Sequence, residues 1–348
     1  MAVKIGFVGV GGMGQCAHLK NYAEIKDCQV VAIAELREGL ARKVAARYGV
    51  PKVYPSHKEM LKAEKLDGIV APQSFSVHGV LVPELLKAGI PVFTEKPIAN
   101  TVEAGEKIVK AVKKSGTWMM IGYHKRNDPA TIYAKAEIDR LKRSKELGAM
   151  TYVRITMPAG NWIANGFDCL METDEKYPEL DRVEPKGMSE AEYKKFWLFT
   201  NYYIHQVNLM RHLMGEPYKV AYVDKADKVL SVQSASGVSG LIEMTPYSTT
   251  REWEEVALVC FERGYVKLEL PAPLASNRPG RVEIYRDPSK EKTPERMSPT
   301  LPWVHAMKQQ AVNFVQSIKG KDKPKCGPEE ALEDMKVARD YLKLWLAR

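Results

Sequence analysis

Lys4-Ile5-Gly6-Phe7-Val8-Gly9-Val10-Gly11-Gly12-Met13-Gly14 decides the fold. The apolar run from Val3 to Val8 reads as a buried strand, and Gln15 to Ile25 has the apolar spacing of a helix. Glycines 9, 11 and 14 lie between them in the spacing G-x-G-x-x-G. Between a strand and a helix, that spacing marks a dinucleotide site. Gly9 permits the tight turn. Gly11 lets backbone amides approach a pyrophosphate, and Gly14 lets the helix pack closely on the strand. Gly12 and Met13 belong to the same cofactor contact. The helix N-terminus offers free N–H groups and a partial positive charge to the phosphates.

A glycine turn is common, so a second signal is needed. Gln29 to Ala34 is another apolar run, and Glu35 ends it about 20 residues past the motif, where this pattern places its acid. A carboxylate there accepts hydrogen bonds from ribose hydroxyls and repels a 2′-phosphate. Glu35 therefore favours NAD. Arg37 blunts that preference, because it can contact a 2′-phosphate and so admit NADP, or stack on adenine.

Further along, short strands and helices alternate to Gly122, with strands at Lys52–Tyr54, Gly68–Ala71, Ile90–Thr94 and Thr117–Gly122. Alternation with short loops predicts a doubly wound parallel sheet covered on both faces. Ligands bind beyond the carboxyl ends of such strands. Pro72 and the run Glu95-Lys96-Pro97 follow two of those ends, and His78 starts a helix near the same edge. All are expected near the cofactor. After Gly122 the pattern changes. Met150–Met157 alternates as a strand, Pro158–Pro185 is a long irregular stretch, and Asn201–Met214 reads as one unbroken helix. From Tyr218 to Tyr285 several strand-like runs lack crossover helices, which predicts a mostly antiparallel sheet. Two helices, Trp303–Lys319 and Pro328–Leu346, close the chain. We place a Rossmann domain at 1–124 and a substrate and oligomerisation domain of α+β character at 125–348.

The composition is that of an ordinary globular protein: 348 residues, 45% hydrophobic and 27% charged, with a net charge of +9. No run of four Lys or Arg occurs, so nucleic acid is not an expected partner. No stretch approaches transmembrane length, and no membrane role is expected. Cysteines 16, 28, 169, 260 and 326 form no C-x-x-C, so neither a metal knuckle nor a disulfide framework is indicated. No metal is expected. A reducing compartment, the cytoplasm, is the simplest reading, and the opening strand does not read as a signal peptide.

Lys96 is the first candidate for chemistry. At a strand end near the expected nicotinamide, a lysine can hydrogen-bond a substrate oxygen and stabilise developing negative charge. Read without that context, Lys-Pro is a loop. His205 is the second: Asn201, His205, Asn208 and His212 recur at helical spacing, and a histidine there can take a hydroxyl proton. Tyr123, His124, Lys125, Arg126 and Asn127 either hold polar substrate groups or line a hinge. Trp162, with Asn165, Asp168 and Glu172, suits carbohydrate stacking and a subunit contact equally.

The glycine motif, Glu95-Lys96-Pro97, the segment Gly122-Tyr123-His124-Lys125-Arg126 and the Asn201-x-x-x-His205 pattern resemble the Gfo/Idh/MocA oxidoreductases. The resemblance covers nearly the whole chain. It implies an N-terminal Rossmann domain and a C-terminal α/β domain whose large antiparallel sheet forms homodimers or homotetramers. It also implies NAD(P)-linked oxidation or reduction of sugars, inositols and related polyols. Lys96 then matches the catalytic lysine and His205 the catalytic histidine; from their positions Tyr123, His124, Arg126, Trp162, Asn201, Tyr202 and His205 are expected on the substrate. Family members commonly carry aspartate where this chain has Asn201, and an amide cannot supply that charge. Two alternatives stand beside a dehydrogenase. One is a redox-neutral glycosidase that recycles NAD in place. The other is a non-catalytic cofactor-binding regulator.

Overall fold

The computed structural model describes residues 1–347. The chain divides into two compact units. The first comprises Met1–Tyr123, Asn165–Asn201 and Met307–Met335. The second comprises His124–Ala164, Tyr202–Ala306 and Lys336–Arg348.

The first unit is built on a six-stranded parallel sheet of order β3-β2-β1-β4-β5-β6. Its strands are β1 (Val3–Val8), β2 (Cys28–Ala34), β3 (Lys52–Tyr54), β4 (Gly68–Ala71), β5 (Val92–Glu95) and β6 (Met119–Gly122). The order reverses between β1 and β4, and that switch point is where doubly wound sheets bind ligands. The central strands are apolar on both faces, as a sheet covered by helices requires. α1 is a π-helical turn, Gly14–Leu19, continued by Lys20–Ala23. α2 (Glu38–Tyr48), α3 (His57–Ala63), α4 (Phe75–Leu86) and α5 (Val102–Ser115) follow. Gly49 ends α2 in the left-handed conformation at φ 64°, the usual glycine stop. Ser56 and Thr101 cap α3 and α5 with their hydroxyls.

Two later stretches complete this unit. α9 (Ala306–Ile318) brings Phe314 into the sheet core, where its ring meets Phe93 at 5.8 Å, Trp118 at 5.5 Å and Tyr22 at 6.4 Å. The irregular stretch before α7 (Glu190–Tyr202) lies on the same unit. Glu175 accepts from the backbone N–H groups of Gly39 and Leu40 and so caps α2. The first unit therefore joins Met1–Tyr123 to two stretches that lie far along the chain. Aromatic packing and capping bonds hold them there.

The second unit carries an eight-stranded sheet of order β14-β13-β12-β11-β7-β10-β9-β8. Its strands are β7 (Met150–Ala159), β8 (Tyr218–Val223), β9 (Val229–Ser234), β10 (Ser239–Ser248), β11 (Glu255–Phe261), β12 (Gly264–Leu270), β13 (Arg281–Arg286) and β14 (Glu295–Met297). Strict alternation of buried and half-buried residues along β11 and β12 marks a sheet with one covered face. α6 (Pro129–Ser144) and α8 (Ile204–Met214) cover it. The sheet is antiparallel except for β7 and β10, which pair in parallel. α10 (Pro328–Leu346) ends near Asp227, which accepts from Tyr341 Oη and Trp345 Nε1, each at 3.1 Å.

Two helices differ from expectation. The helix expected over Asn201–Met214 is broken at Tyr203, so Asn201 lies in the last turn of α7 and His205 in the first turn of α8. The four-residue spacing therefore does not put them on one helical face. The helix expected from Trp303 starts at Ala306, and Trp303 is 84% exposed.

Candidate active site

The glycine turn leaves β1 in the first unit. Gly9 has φ +91°, and a Cβ there would collide with the Gln73 amide, whose nitrogen donates to the Val8 carbonyl. A Cβ on Gly14 would sit 2.8 Å from the Gly9 carbonyl oxygen, so α1 can approach the strand only because that side chain is missing. Gly11 and Gly12 are different. A Cβ there would find Arg37 Nη2 at 3.8 Å and the Phe167 ring at 3.6 Å, ordinary contact distances. The protein's own packing leaves room for a side chain at both positions. A pyrophosphate pressed against the backbone accounts for that space, and the cradle fits a dinucleotide. Met13 sits at the head of α1, and the Pro72 ring is 3.5 Å from the Gly14 Cβ position.

Glu35 ends β2 and is 6% exposed. Its Oε2 accepts from Val10 N at 3.0 Å and from Arg37 Nη2 at 3.2 Å. Its Oε1 accepts from the Arg37 backbone N at 3.1 Å and from Arg37 Nε at 2.9 Å. All four lone-pair positions of the carboxylate thus have donors. An incoming ribose diol must displace the guanidinium to reach Glu35. The hydrogen bond to Glu35 raises the Arg37 pKa. The guanidinium also lies 4.8 Å from the centre of the Tyr177 ring. A cavity of about 280 Å³ adjoins this pair, lined by Glu35, Leu36, Ser56, Val77, Tyr177 and Leu180 among others.

Glu95 and Lys96 follow β5. Burial pushes the Glu95 carboxyl up, but His18 and Lys96 outweigh it and hold it below the ordinary carboxylate value. His18 Nε2 donates to Glu95 Oε1 at 2.6 Å from α1, and its ring lies 5.2 Å from Phe93. Sequence reasoning missed His18, because a single histidine four residues past Gly14 carries no periodic signal. The Lys96 backbone N donates to Glu95 Oε2 at 3.2 Å. Its Nζ donates to the Asn201 carbonyl oxygen at 2.6 Å, so Asn201 contributes its backbone to the lysine. His78 is fully buried, with Nδ1 facing the Ile98 carbonyl at 3.1 Å and Nε2 the Gln73 carbonyl at 3.0 Å. Desolvation lowers its pKa, and its ring ties α4 to the neighbouring loops. Tyr123 closes the first unit and is 1% exposed.

In the second unit the His124 and His205 rings meet edge to face at 4.8 Å. Arg126 Nε donates to Asn208 Oδ1 at 2.6 Å, and both residues are buried. Next to His205, Gln206 Nε2 donates to Glu255 Oε1 at 2.8 Å. Glu255 is also ion-paired with Lys125 and accepts from Trp253 Nε1 at 3.3 Å. No spacing rule links Glu255 to Lys125, and it was not expected. Burial, then the neighbouring Tyr203 and the Glu255 charge, raises the Tyr202 pKa. The hydroxyls of Tyr203 and Thr245 are hydrogen-bonded at 2.5 Å, which anchors the break between α7 and α8. The Trp162 carbonyl accepts from Leu274 N at 3.2 Å, and its ring is partly exposed. Among the described residues no cluster of three His, Cys, Asp or Glu could hold a metal ion, and no helix is long and apolar enough to cross a membrane.

Residues 3–123 match the profile of the Gfo/Idh/MocA group, described as an oxidoreductase family with an NAD-binding Rossmann fold. The chain is 25% identical over 225 residues to a myo-inositol 2-dehydrogenase of Thermotoga maritima, an alignment covering 64% of this chain and 58% of the relative. It is 30% identical over 138 residues to an inositol 2-dehydrogenase of Acidothermus cellulolyticus, covering 39% of this chain and 40% of that protein. The chain thus spans about half the length of these curated relatives. An oxidoreductase domain protein from Kribbella flavida shares the fold with a TM-score of 0.77 at 18% identity, over all of this chain and 98% of that one.

Proposed function

We propose that this chain, whose residues 3–123 match the Gfo/Idh/MocA oxidoreductase family, is an NAD-dependent dehydrogenase of an inositol, sugar or related polyol. The reading is supported by the inositol dehydrogenases among its relatives. The observation that carries it is the position of Lys96. It stands at the carboxyl end of β5, two strands from the glycine turn, on the ligand edge of the sheet.

In this reading bound NAD supplies the hydride acceptor. The Lys96 ammonium donates to the reacting substrate oxygen and offsets the negative charge that grows there as the proton departs. The Asn201 carbonyl accepts from that ammonium and holds it in place, while the Glu95 carboxylate takes the Lys96 backbone N–H and the His18 ring as donors. His205 takes the hydroxyl proton as general base. With Asn201 in place of an aspartate, the ring that adjoins His205 is that of His124. Arg37 occupies the Glu35 carboxylate in the first unit, and this pairing leaves room for NADP as a slower partner.

The test is a panel of inositols, sugars and glycosides assayed with NAD and with NADP. Lys96→Ala is expected to lower kcat/KM by about two to three orders of magnitude. Unchanged turnover in that variant would remove Lys96 from the mechanism. A redox-neutral reaction with retained NAD is favoured by one observation, the segment that lies across the glycine turn at Phe167. Cleavage of a glycoside with no accumulation of NADH would select it over a dehydrogenase.

A further inference from the structure

Residues 165–183 have almost no regular structure, yet they touch one cofactor element after another in the first unit. Phe167 packs beside the Gly12 position. Met171 bonds to the Gln15 side chain twice, through its N–H at 3.0 Å and its carbonyl at 3.2 Å. Glu175 caps α2, and Tyr177 covers Arg37 and donates to Gln73 Oε1 at 3.2 Å. The segment is a strap over the dinucleotide elements. One of its contacts can be made covalent: Cys169 Sγ lies 3.7 Å from Cys16 Sγ, two residues past Gly14 on α1.

We propose that Cys16 and Cys169 form a redox clasp that, when oxidised to a disulfide, pins this strap to α1 and slows exchange of bound NAD. The proposal rests on the NAD reading of the glycine turn. The two sulfurs are already in contact and need to close by only about 1.7 Å to reach bonding distance. The strap can supply that movement because no sheet or helix ladder fixes it. Arg47 Nη1 holds the Cys169 carbonyl at 3.0 Å and keeps the residue facing α1.

The two cysteines have different parts. Cys169 is half-buried, whereas Cys16 is fully buried, and burial with the neighbouring Cys169 pushes its thiol up to about 12. Cys169 therefore meets the oxidant, a peroxide. Its thiolate attacks one peroxide oxygen, the O–O bond breaks, and a sulfenic acid and hydroxide result. The Cys16 sulfur then attacks the Cys169 sulfur. The S–S bond forms, the S–O bond breaks, and the departing hydroxide leaves as water with the Cys16 proton. Two electrons pass from the two thiols to the peroxide, and a thiol reductant reverses the step.

The experiment treats the whole protein with hydrogen peroxide, maps non-reduced peptides by mass spectrometry and follows release of bound NADH by stopped-flow fluorescence. The expected result is a Cys16–Cys169 linked peptide and NADH release slower by on the order of tenfold. Cys169→Ser is expected to release NADH at one rate with or without peroxide. Oxidation of other cysteines with no linked peptide would overturn the proposal, and so would a linked peptide with unchanged release. If the reduced protein binds no NADH, the cofactor reading fails instead. Proteolysis within 165–183, slowed by the disulfide or not, then decides the clasp.

Discussion

Two buried carboxylates, one in each unit, are displaced in opposite directions. Glu95 in the first unit is held below its ordinary value, although burial alone would raise it, because His18 donates to it and Lys96 adjoins it. Asp128 in the second unit caps α6, accepting from Ala130 N at 2.8 Å and Gly280 N at 3.0 Å. Burial still pushes it up to about 6, since those two bonds and the Lys125 charge do not offset desolvation and the nearby Glu255 opposes them. Depth is similar in the two cases. What differs is whether a cation is committed to the carboxylate. Lys125 is ion-paired with Glu255, while Glu95 has the His18 ring as a donor and the Lys96 charge nearby. The unit that holds the candidate catalytic lysine keeps its acid charged. The other unit lets its acid rise to about 6 and uses it as a cap.

Four substitutions break or sharpen that contrast. Lys125→Ala removes the cation paired with Glu255 and leaves that buried carboxylate with only the Gln206 and Trp253 donors. Stability is expected to fall by about 3–5 kcal/mol, read from the urea midpoint. Asp128→Asn keeps an oxygen for the Ala130 N–H and removes the titration. With a folded value of about 6 against 3.8, the acid stabilises the wild type fully below about pH 4, and this contribution is lost as pH rises to about 6. The variant should gain on the wild type across that window by about 2–3 kcal/mol. Parallel stability curves would refute the assignment.

His18→Gln acts in the opposite sense. A lowered Glu95 contributes stability above the ordinary carboxylate range that is lost only as pH falls through its lowered value. Without His18 burial prevails, so the loss on acidification that Glu95 contributes should disappear from the stability curve, with a loss of about 1.5–3 kcal/mol at neutrality. The smallest effect is expected at the strap. Tyr177→Leu removes the ring from Arg37 and should speed NADH release a few-fold, about 0.5–1 kcal/mol for a partly exposed cation–π contact. A release rate equal to wild type would show that the strap is not held at that end.

These contrasts also separate what the sequence disclosed from what it concealed. Every strand of the first sheet carries its own apolar run, and Gly9, Glu35 and Lys96 announce themselves through position relative to those runs. A local pattern is enough because each βα unit is local. His18 and Glu255 are single polar residues whose meaning comes from partners 77 and 130 positions away, at Glu95 and Lys125. No period encodes such a pairing. The parallel partnership of β7 and β10 is hidden for the same reason: burial alternation reveals a strand but not its neighbour. The helix through Asn201 and His205 misled differently. Its apolar spacing is continuous, and only the hydroxyl pair of Tyr203 with Thr245 and the pull of Lys96 on the Asn201 carbonyl mark the break. Trp162, Asn165, Asp168 and Glu172 suit sugars or a second subunit because aromatics and acids are mixed in that irregular stretch. Contacts with Gln15, Gly39 and Arg37 give residues 165–183 another use.

The place of Phe314 has a consequence for biogenesis. Its ring fills the space among Phe93, Trp118 and Tyr22, so the core of the dinucleotide domain stays open until α9 has been made. A ribosome that has released the first 123 residues has delivered every strand of that sheet but not the plug. The nascent domain must wait, with an aromatic-lined gap exposed, while more than half of the chain is still being synthesised. Chaperone dependence during that interval, and aggregation of a fragment cut at the domain boundary, follow from a single side chain supplied late.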